Sequence, residues 1–264
     1  MIEAKEIAVT FNAGTPMETP AMRGIDLTIP EGDFVTVIGS NGAGKSTFLN
    51  ALAGELKPDS GKILIDDQDV TNWPTAKRAG LVARVFQDPL GGSCASLTIE
   101  ENLALANARG KRRGLGAAVD GDVREVFRKH IARLNLGLEN RLGDRIDLLS
   151  GGQRQAVSLL MSALQPMKIL LLDEHTAALD PKTAAFVLDL TREIVEERGL
   201  TTLMVTHSMR QALDIGNRTV MLHEGRVVLD VKGDERKGLE VEDLLHMFEK
   251  VRGTEIDDDA LLLS

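Results

Sequence analysis

Gly39, Ser40, Asn41, Gly42, Ala43, Gly44, Lys45 and Ser46, followed by Thr47, fit the spacing G-x-x-x-x-G-K-[ST]. Glycines at this density let a backbone wrap with its N–H groups turned inward, at a helix N-terminus that favours anions. Lys45 adds a full charge where the β- and γ-phosphates of a nucleotide would lie, and the Ser46 hydroxyl is placed to ligate Mg2+. The plain alternative is a Gly-rich strand-to-helix turn with an incidental lysine. The apolar run before the motif and the helical run after it argue for the phosphate cradle. Alone, the cradle would serve a GTPase, a small-molecule kinase, a motor or a transport ATPase.

Two carboxylates supply the next step. Ile169 to Leu172 are four aliphatic residues in a row, then come Asp173 and Glu174. Such a run suits a central parallel strand buried on both faces. Its end is expected to bring Asp173 beside the phosphate loop to hold the Mg2+ shell, and to let Glu174 polarise a water in line with the γ-phosphate. A solvated acidic turn is the alternative, and the upstream loop weighs against it.

A third feature lies far from both. Leu149, Ser150, Gly151, Gly152, Gln153, Arg154 and Gln155 precede the helical run AVSLLMSAL. Two glycines before a helix, with Ser150 as its cap, make a second anion-binding device. One chain rarely needs two on the same phosphate. A head-to-tail dimer does, because the second device can cover the nucleotide held by the other subunit.

The elements that must position these groups are legible from pattern. Ile7 and Val9, then Ile25, Leu27 and Ile29, alternate with polar residues as half-buried strands do, joined by a loop around residues 14–20. Residues 34–38, 62–65, 81–86, 169–172 and 201–206 are further strands. Residues 220–222 and 227–229 flank a turn at 223–225 and predict a hairpin. Gly54 is a good helix C-cap. Thr98 and Glu101 form a capping box that opens a helix. Residues 109–116 are basic and Gly-rich and predict a mobile loop. Val123, Val126, Phe127, Ile131 and Leu134 predict one apolar helical face. Pro181 opens a long helix that Gly199 closes. Leu244, Met247, Phe248 and Val251 predict an amphipathic helix, followed by an acidic tail over 255–259. No internal repeat is present, and the layout is α/β with a helical insertion between two halves of the core.

Composition narrows the classes. The 264 residues are 43% hydrophobic and 27% charged, which excludes collagen, coiled coil and wholesale disorder. With 31 Lys+Arg against 40 Asp+Glu, the net charge of −9 makes a poor general binder of nucleic acid. One cysteine, Cys94, allows no internal disulfide and fits a reducing compartment. The first residues are too mixed for a signal peptide. No apolar run approaches the roughly 20 residues of a membrane-spanning helix, so work at a membrane would be done through a partner.

Taken together, LSGGQRQ, the phosphate loop, LLLDEH and a later histidine after a strand resemble the nucleotide-binding subunits of ABC transporters, to about residue 235. The resemblance implies a P-loop NTPase (RecA-like) α/β core with an antiparallel β subdomain and an inserted helical subdomain at about 90–162. The ATP-binding domain would span 1–235, and 236–264 would be a charged C-terminal helix and tail. It implies ATP and Mg2+ as ligands. Phe11 falls where the family stacks an aromatic on adenine. Gln87 matches the glutamine that senses Mg2+ and the attacking water and links to the helical subdomain. Asp180, in Ala178-Leu179-Asp180, matches the loop that crosses the dimer interface. His207 matches the histidine that contacts the γ-phosphate. The implied metal shell is Ser46, Gln87 and Asp173. Ser150, Gly151, Gly152 and Gln153 would act on the partner subunit. His130, His223 and His246 show no metal-ligand spacing and read as surface or turn residues.

Some positions depart from the family pattern: His175 stands where Pro is usual, and Ala156 and Ser162 stand where Arg is frequent. Residues 87–106, 150–164 and 170–184 are similar to bacterial uptake ATPases of the tryptophan/tyrosine or branched-chain amino-acid type. The implied assembly is a homodimer or pseudo-dimer with an integral membrane permease and an extracytoplasmic solute-binding protein, at the cytoplasmic face of the inner membrane. The helical region near Gln87 to Asn107 would meet the permease's coupling helices. An exporter or lipoprotein-release ATPase is the alternative within the family. A soluble member acting on nucleic acid or the ribosome would need two cassettes or long coiled coils, which this chain lacks. A kinase or GTPase leaves Ser150 to Gln155 unexplained.

Overall fold

The computed structural model describes residues 1–111, 116 and 118–252, with side chains to 250. In chain order the elements are β1 (Ile2–Phe11), β2 (Thr19–Ile29), β3 (Phe34–Ile38), α1 (Lys45–Ala53), β4 (Ser60–Ile65), β5 (Gln68–Asp69), α2 (Thr75–Arg78), β6 (Val82–Val85) and α3 (Ile99–Asn107). There follow α4 (Gly121–Ala132), α5 (Gly151–Ala163), β7 (Ile169–Asp173), α6 (Pro181–Arg198), β8 (Thr201–Val205), α7 (Met209–Asp214), β9 (Arg218–His223), β10 (Arg226–Lys232) and α8 (Val241–Arg252). The expected α/β class holds. The described residues fall into two compact units, one within 1–78 and 200–252 and the other within 79–199.

The first unit carries an antiparallel sheet in the order β2-β1-β4-β5, with Ile2 opposite both Ile29 and Ile65. Its other strands run β10-β9-β3-β8. Here β3 lies parallel to both β8 and β9, with Val35 opposite Leu203 and Arg218. All five residues of β3 are buried, so its sequence carries no polar alternation except Thr36. The Thr36 hydroxyl pairs with the Ala212 carbonyl at 2.9 Å and the Thr219 hydroxyl at 3.0 Å, which satisfies it inside the sheet. The C-terminal helix α8 seats Leu244 and Phe248 against Ile38, Met209, Ala212 and Met221. His223 is not a free surface residue. Its ring meets Phe248 edge-on at 5.3 Å.

The second unit is mainly helical around one parallel pair, with Arg84 of β6 opposite Leu171 of β7. The Thr98 capping box is present, with both reciprocal bonds. Pro181 and Gly199 bound α6, as the sequence predicts. On α4, Phe127 and Ile131 are buried, but Val126 is 51% exposed. Val126 follows Val123 by three residues and Phe127 follows it by four. The helix rotates the fourth residue, not the third, onto the packed face. The segment after Gln87 is a series of turns, and helix begins only at Ile99. Residues 112–115 of the expected mobile loop lie outside the described residues. Its first member is anchored, since the Arg109 guanidinium donates to Ser162 O at 2.8 Å. The acidic tail over 255–259 also lies outside them.

Candidate functional site

In the first unit the phosphate loop leaves β3 at Ile38 and enters α1 at Lys45. Two glycines explain its path. Gly39 has φ +147°, and a Cβ there would overlap the Leu222 carbonyl oxygen. Gly44, the N-cap of α1, has φ +99°, and its Cβ would come within 2.5 Å of the Ala21 carbonyl oxygen. Neither position accepts a side chain without moving backbone. The loop is braced from outside by the β9–β10 turn, where the Gly225 amide donates to Ala43 O at 3.1 Å. Lys45 is only 6% exposed. Its ammonium donates to Gly39 O at 2.7 Å and Ser40 O at 3.1 Å, which folds the charge over the mouth of its own loop. A cradle that only glycine can line, with a buried lysine held across it, fits a phosphate chain.

The same unit holds two further predicted residues. Phe11 ends β1 opposite Thr19 and is 40% exposed. Thr19 lies two residues from Ala21, the neighbour of Gly44. His207 follows β8. The Thr206 amide donates to Val37 O at 3.1 Å, which ties the strand end carrying His207 to the strand end leading into Gly39. The Thr206 hydroxyl and the Ser208 N-cap then start α7, which fixes the turn around His207.

The second unit holds the carboxylates and the signature segment. All five residues of β7 are buried, Asp173 included. The Asp173 carboxylate accepts from Arg84 Nη2 at 2.6 Å, and that guanidinium lies over the Phe86 ring at 4.6 Å. Gln87 is exposed just beyond β6, so Gln87 and Asp173 share the carboxyl end of one parallel pair, where α/β sheets bind ligands. Glu174 follows with φ +45°, a left-handed conformation uncommon for a residue with a side chain.

Ser150 caps α5. Its hydroxyl accepts from the Gln153 amide at 3.3 Å, and Gln153 Oε1 accepts from the Ser150 amide at 3.1 Å. Asp180 caps α6 through the Thr183 amide at 3.1 Å, and bonds from Thr183 hold its carboxyl below the usual value. Gly152 does more than free a helix start. A Cβ there would overlap the Thr183 methyl, so α5 and the first turn of α6 meet at van der Waals distance only because Gly152 has none.

Contacts the motifs do not reveal complete this half. Gln155 Nε2 donates to Phe86 O at 3.2 Å and the Ser158 hydroxyl to Pro89 O at 3.4 Å. These bonds fasten the turn beyond Gln87 to α5. Gln155 sits in the signature heptapeptide, but the spacing does not reveal its partner. Ala156 and Ser162, the departures on α5, are buried, and the Ser162 hydroxyl donates to Leu159 O at 2.6 Å.

The ABC transporter family profile matches residues 22–177. A tyrosine transport ATP-binding protein of Clostridioides difficile is 45% identical over 250 residues, 94% of this chain and 99% of that protein. A thiamine import ATP-binding protein of Escherichia coli strain UTI89 is 35% identical over 209 residues, 79% of this chain and 85% of that one. Among solved structures, the dimeric post-hydrolysis state of an ATP-binding cassette bound to ADP and Pi is 30% identical, with a TM-score of 0.76. It covers 88% of this chain and 98% of that one.

Proposed function

The chain belongs to the ABC transporter family as an ATP-binding, ATP-hydrolysing subunit, and from that premise we propose that it powers amino-acid uptake, with an aromatic amino acid as the solute. The observation that carries this is the 45% identity over 94% of the chain to a protein named for tyrosine transport. The thiamine import relative agrees with the inward direction.

In this reading Phe11 stacks on the adenine and Gly39 to Thr47 wrap the phosphates. Lys45 exchanges carbonyl partners for phosphate oxygens. Glu174 accepts a proton from the attacking water as its oxygen bonds the γ-phosphorus and the bond to the β-phosphate oxygen breaks, which yields ADP and phosphate. His207 donates to the γ-phosphate oxygens and stabilises their charge. Ser46, Gln87 and Asp173 would hold Mg2+, whose chemistry is to neutralise charge on the β- and γ-phosphates. A hydroxyl, an amide oxygen and one carboxylate suit that hard ion, which is commonly held by one or two carboxylates plus substrate phosphates.

Two copies would then complete two sites, each with Lys45 from one and Ser150, Gly151, Gly152 and Gln153 from the other, and with Asp180 at the crossing. Closure would drive a separate permease supplied by a solute-binding protein, with this subunit on the cytoplasmic face. No helix of the described residues is long and apolar enough to cross a membrane. Nucleic acid has no part in this reading. The test is uptake of labelled tyrosine and tryptophan by cells that lack the gene, complemented with the parent or with Glu174→Gln. Uptake lost, restored by the parent and not by the variant, is expected. Uptake unchanged by deletion removes the proposed solute class.

A further inference from the structure

His175 is a buried titratable residue that the mechanism leaves unused. It stands directly after Glu174, at the position where the family pattern has proline. A proline would stiffen that turn through its ring. The imidazole has no such constraint, yet it is 2% exposed and burial pushes its pKa down to about 4.

The hydrogen-bond order around it follows from counting protons. His175 Nε2 lies 3.0 Å from the Thr191 hydroxyl oxygen. That hydroxyl donates its one hydrogen to Val187 O at 2.8 Å. It can only accept from the ring, so Nε2 carries the hydrogen and donates. Both partners are buried, so a donor left unpaired there would lose its hydration without compensation. The bond spans from the turn after β7 to the middle of α6, a helix of 18 residues capped at both ends.

Glu174 needs such an anchor. Its left-handed backbone is unfavourable for a residue with a Cβ, and such conformations persist only where the surroundings over-determine them. The Ala177 amide donates to Glu174 O at 3.0 Å and closes the turn on one side. The next residue's imidazole pins it on the other. In the first turn of α6, Thr183 is the residue against which Gly152 of the signature helix packs.

We infer that His175 is a positioning residue, whose ring N–H bond to Thr191 fixes the turn that aims the Glu174 carboxylate and makes that turn move as one body with α6. This rests on the reading of Glu174 as the group that takes the water's proton.

The experiment measures kcat, KM for ATP, fluorescent-nucleotide affinity and Tm on the full chain. The variants are His175→Leu, His175→Gln, Thr191→Val and Glu174→Gln. Leucine fills the space without a donor. Glutamine returns an N–H near the Nε2 position. Misaiming a catalytic group by about 1 Å costs up to roughly 100-fold, so His175→Leu and Thr191→Val are expected to lower kcat by about 10- to 100-fold. KM and nucleotide affinity should stay within about twofold, and His175→Gln should recover most of the rate. The two losses should not add in the double variant. If His175→Leu does not fold, Thr191→Val alone decides. A kcat unchanged in the folded variants overturns the inference, as does a loss that tracks Tm and that glutamine does not rescue. Should Glu174→Gln itself retain the parent rate, it is the assignment of Glu174 that fails. A Glu174→Gln loss with His175→Leu and Thr191→Val at parent rates sinks the positioning role alone.

Discussion

Arg84 and Asp173, 89 residues apart in sequence, form an ion pair at 2.6 Å with both side chains almost withdrawn from solvent. The pair bolts the carboxyl end of β6 to that of β7. Removing one partner from a buried pair is costly because the other charge stays behind, by about 3–5 kcal/mol. Arg84→Met is therefore expected to lose about 3 kcal/mol of unfolding free energy in urea. Asp173→Asn in the Arg84→Met background should return part of it. A loss indistinguishable from that of an exposed pair would show that Asp173 finds other support.

Glu174→Gln keeps the shape of the side chain and removes its basicity. Hydrolysis is expected to fall by about 100- to 10,000-fold, with ATP affinity retained. Size-exclusion chromatography with ATP should then show a persistent dimer. Unchanged turnover removes Glu174 from its role.

Ser150→Arg places bulk and charge at the exposed cap of α5. It should spare nucleotide binding by a single subunit and abolish ATP-driven dimerisation. Lys45→Ala should weaken nucleotide binding and also release Gly39 O and Ser40 O from their ammonium partner. Mixed in heterodimers, the two variants should recover one working composite site. No hydrolysis in mixtures where heterodimers form would refute the two-copy arrangement.

Gly152→Ala adds one methyl group where Thr183 already stands. Overpacking of this kind costs about 1–3 kcal/mol. Thr183→Ala removes the obstructing methyl, so the double variant should regain most of the lost stability in thermal denaturation. If Thr183→Ala gives no rescue, the glycine is needed for something other than this contact.

What the sequence discloses is what the chain specifies locally. The strand 34–38, the caps at Thr98 and Ser150, and the bounds of α6 each depend on residues within a few positions of one another. The motifs likewise mark the glycines at 39 and 44 and the carboxylates after β7. Relationships across long separations leave no such mark. Nothing around Arg84 announces Asp173, and nothing in GGQ reveals that Gly152 is spared a side chain for the sake of Thr183. Arg109 reads as part of a loose basic loop, because its acceptors, Ser162 O and Gln165 O, lie on a segment that only the fold brings near. Val126 fails for a different reason. A hydrophobic residue on a helix can sit one step off the packed stripe without changing the period that predicts the helix.

Leu244 and Phe248 share one apolar floor with Ile38, the residue that hands the chain to Gly39, and with Met209, two residues beyond His207. The last described helix is thus the underside of the phosphate loop's foundation. Trimming the protein back to residue 235, on the view that the motifs end there, would wet that floor and soften the ground on which both the lysine loop and the histidine turn rest. Purification tags belong past residue 252, where they leave this keel intact.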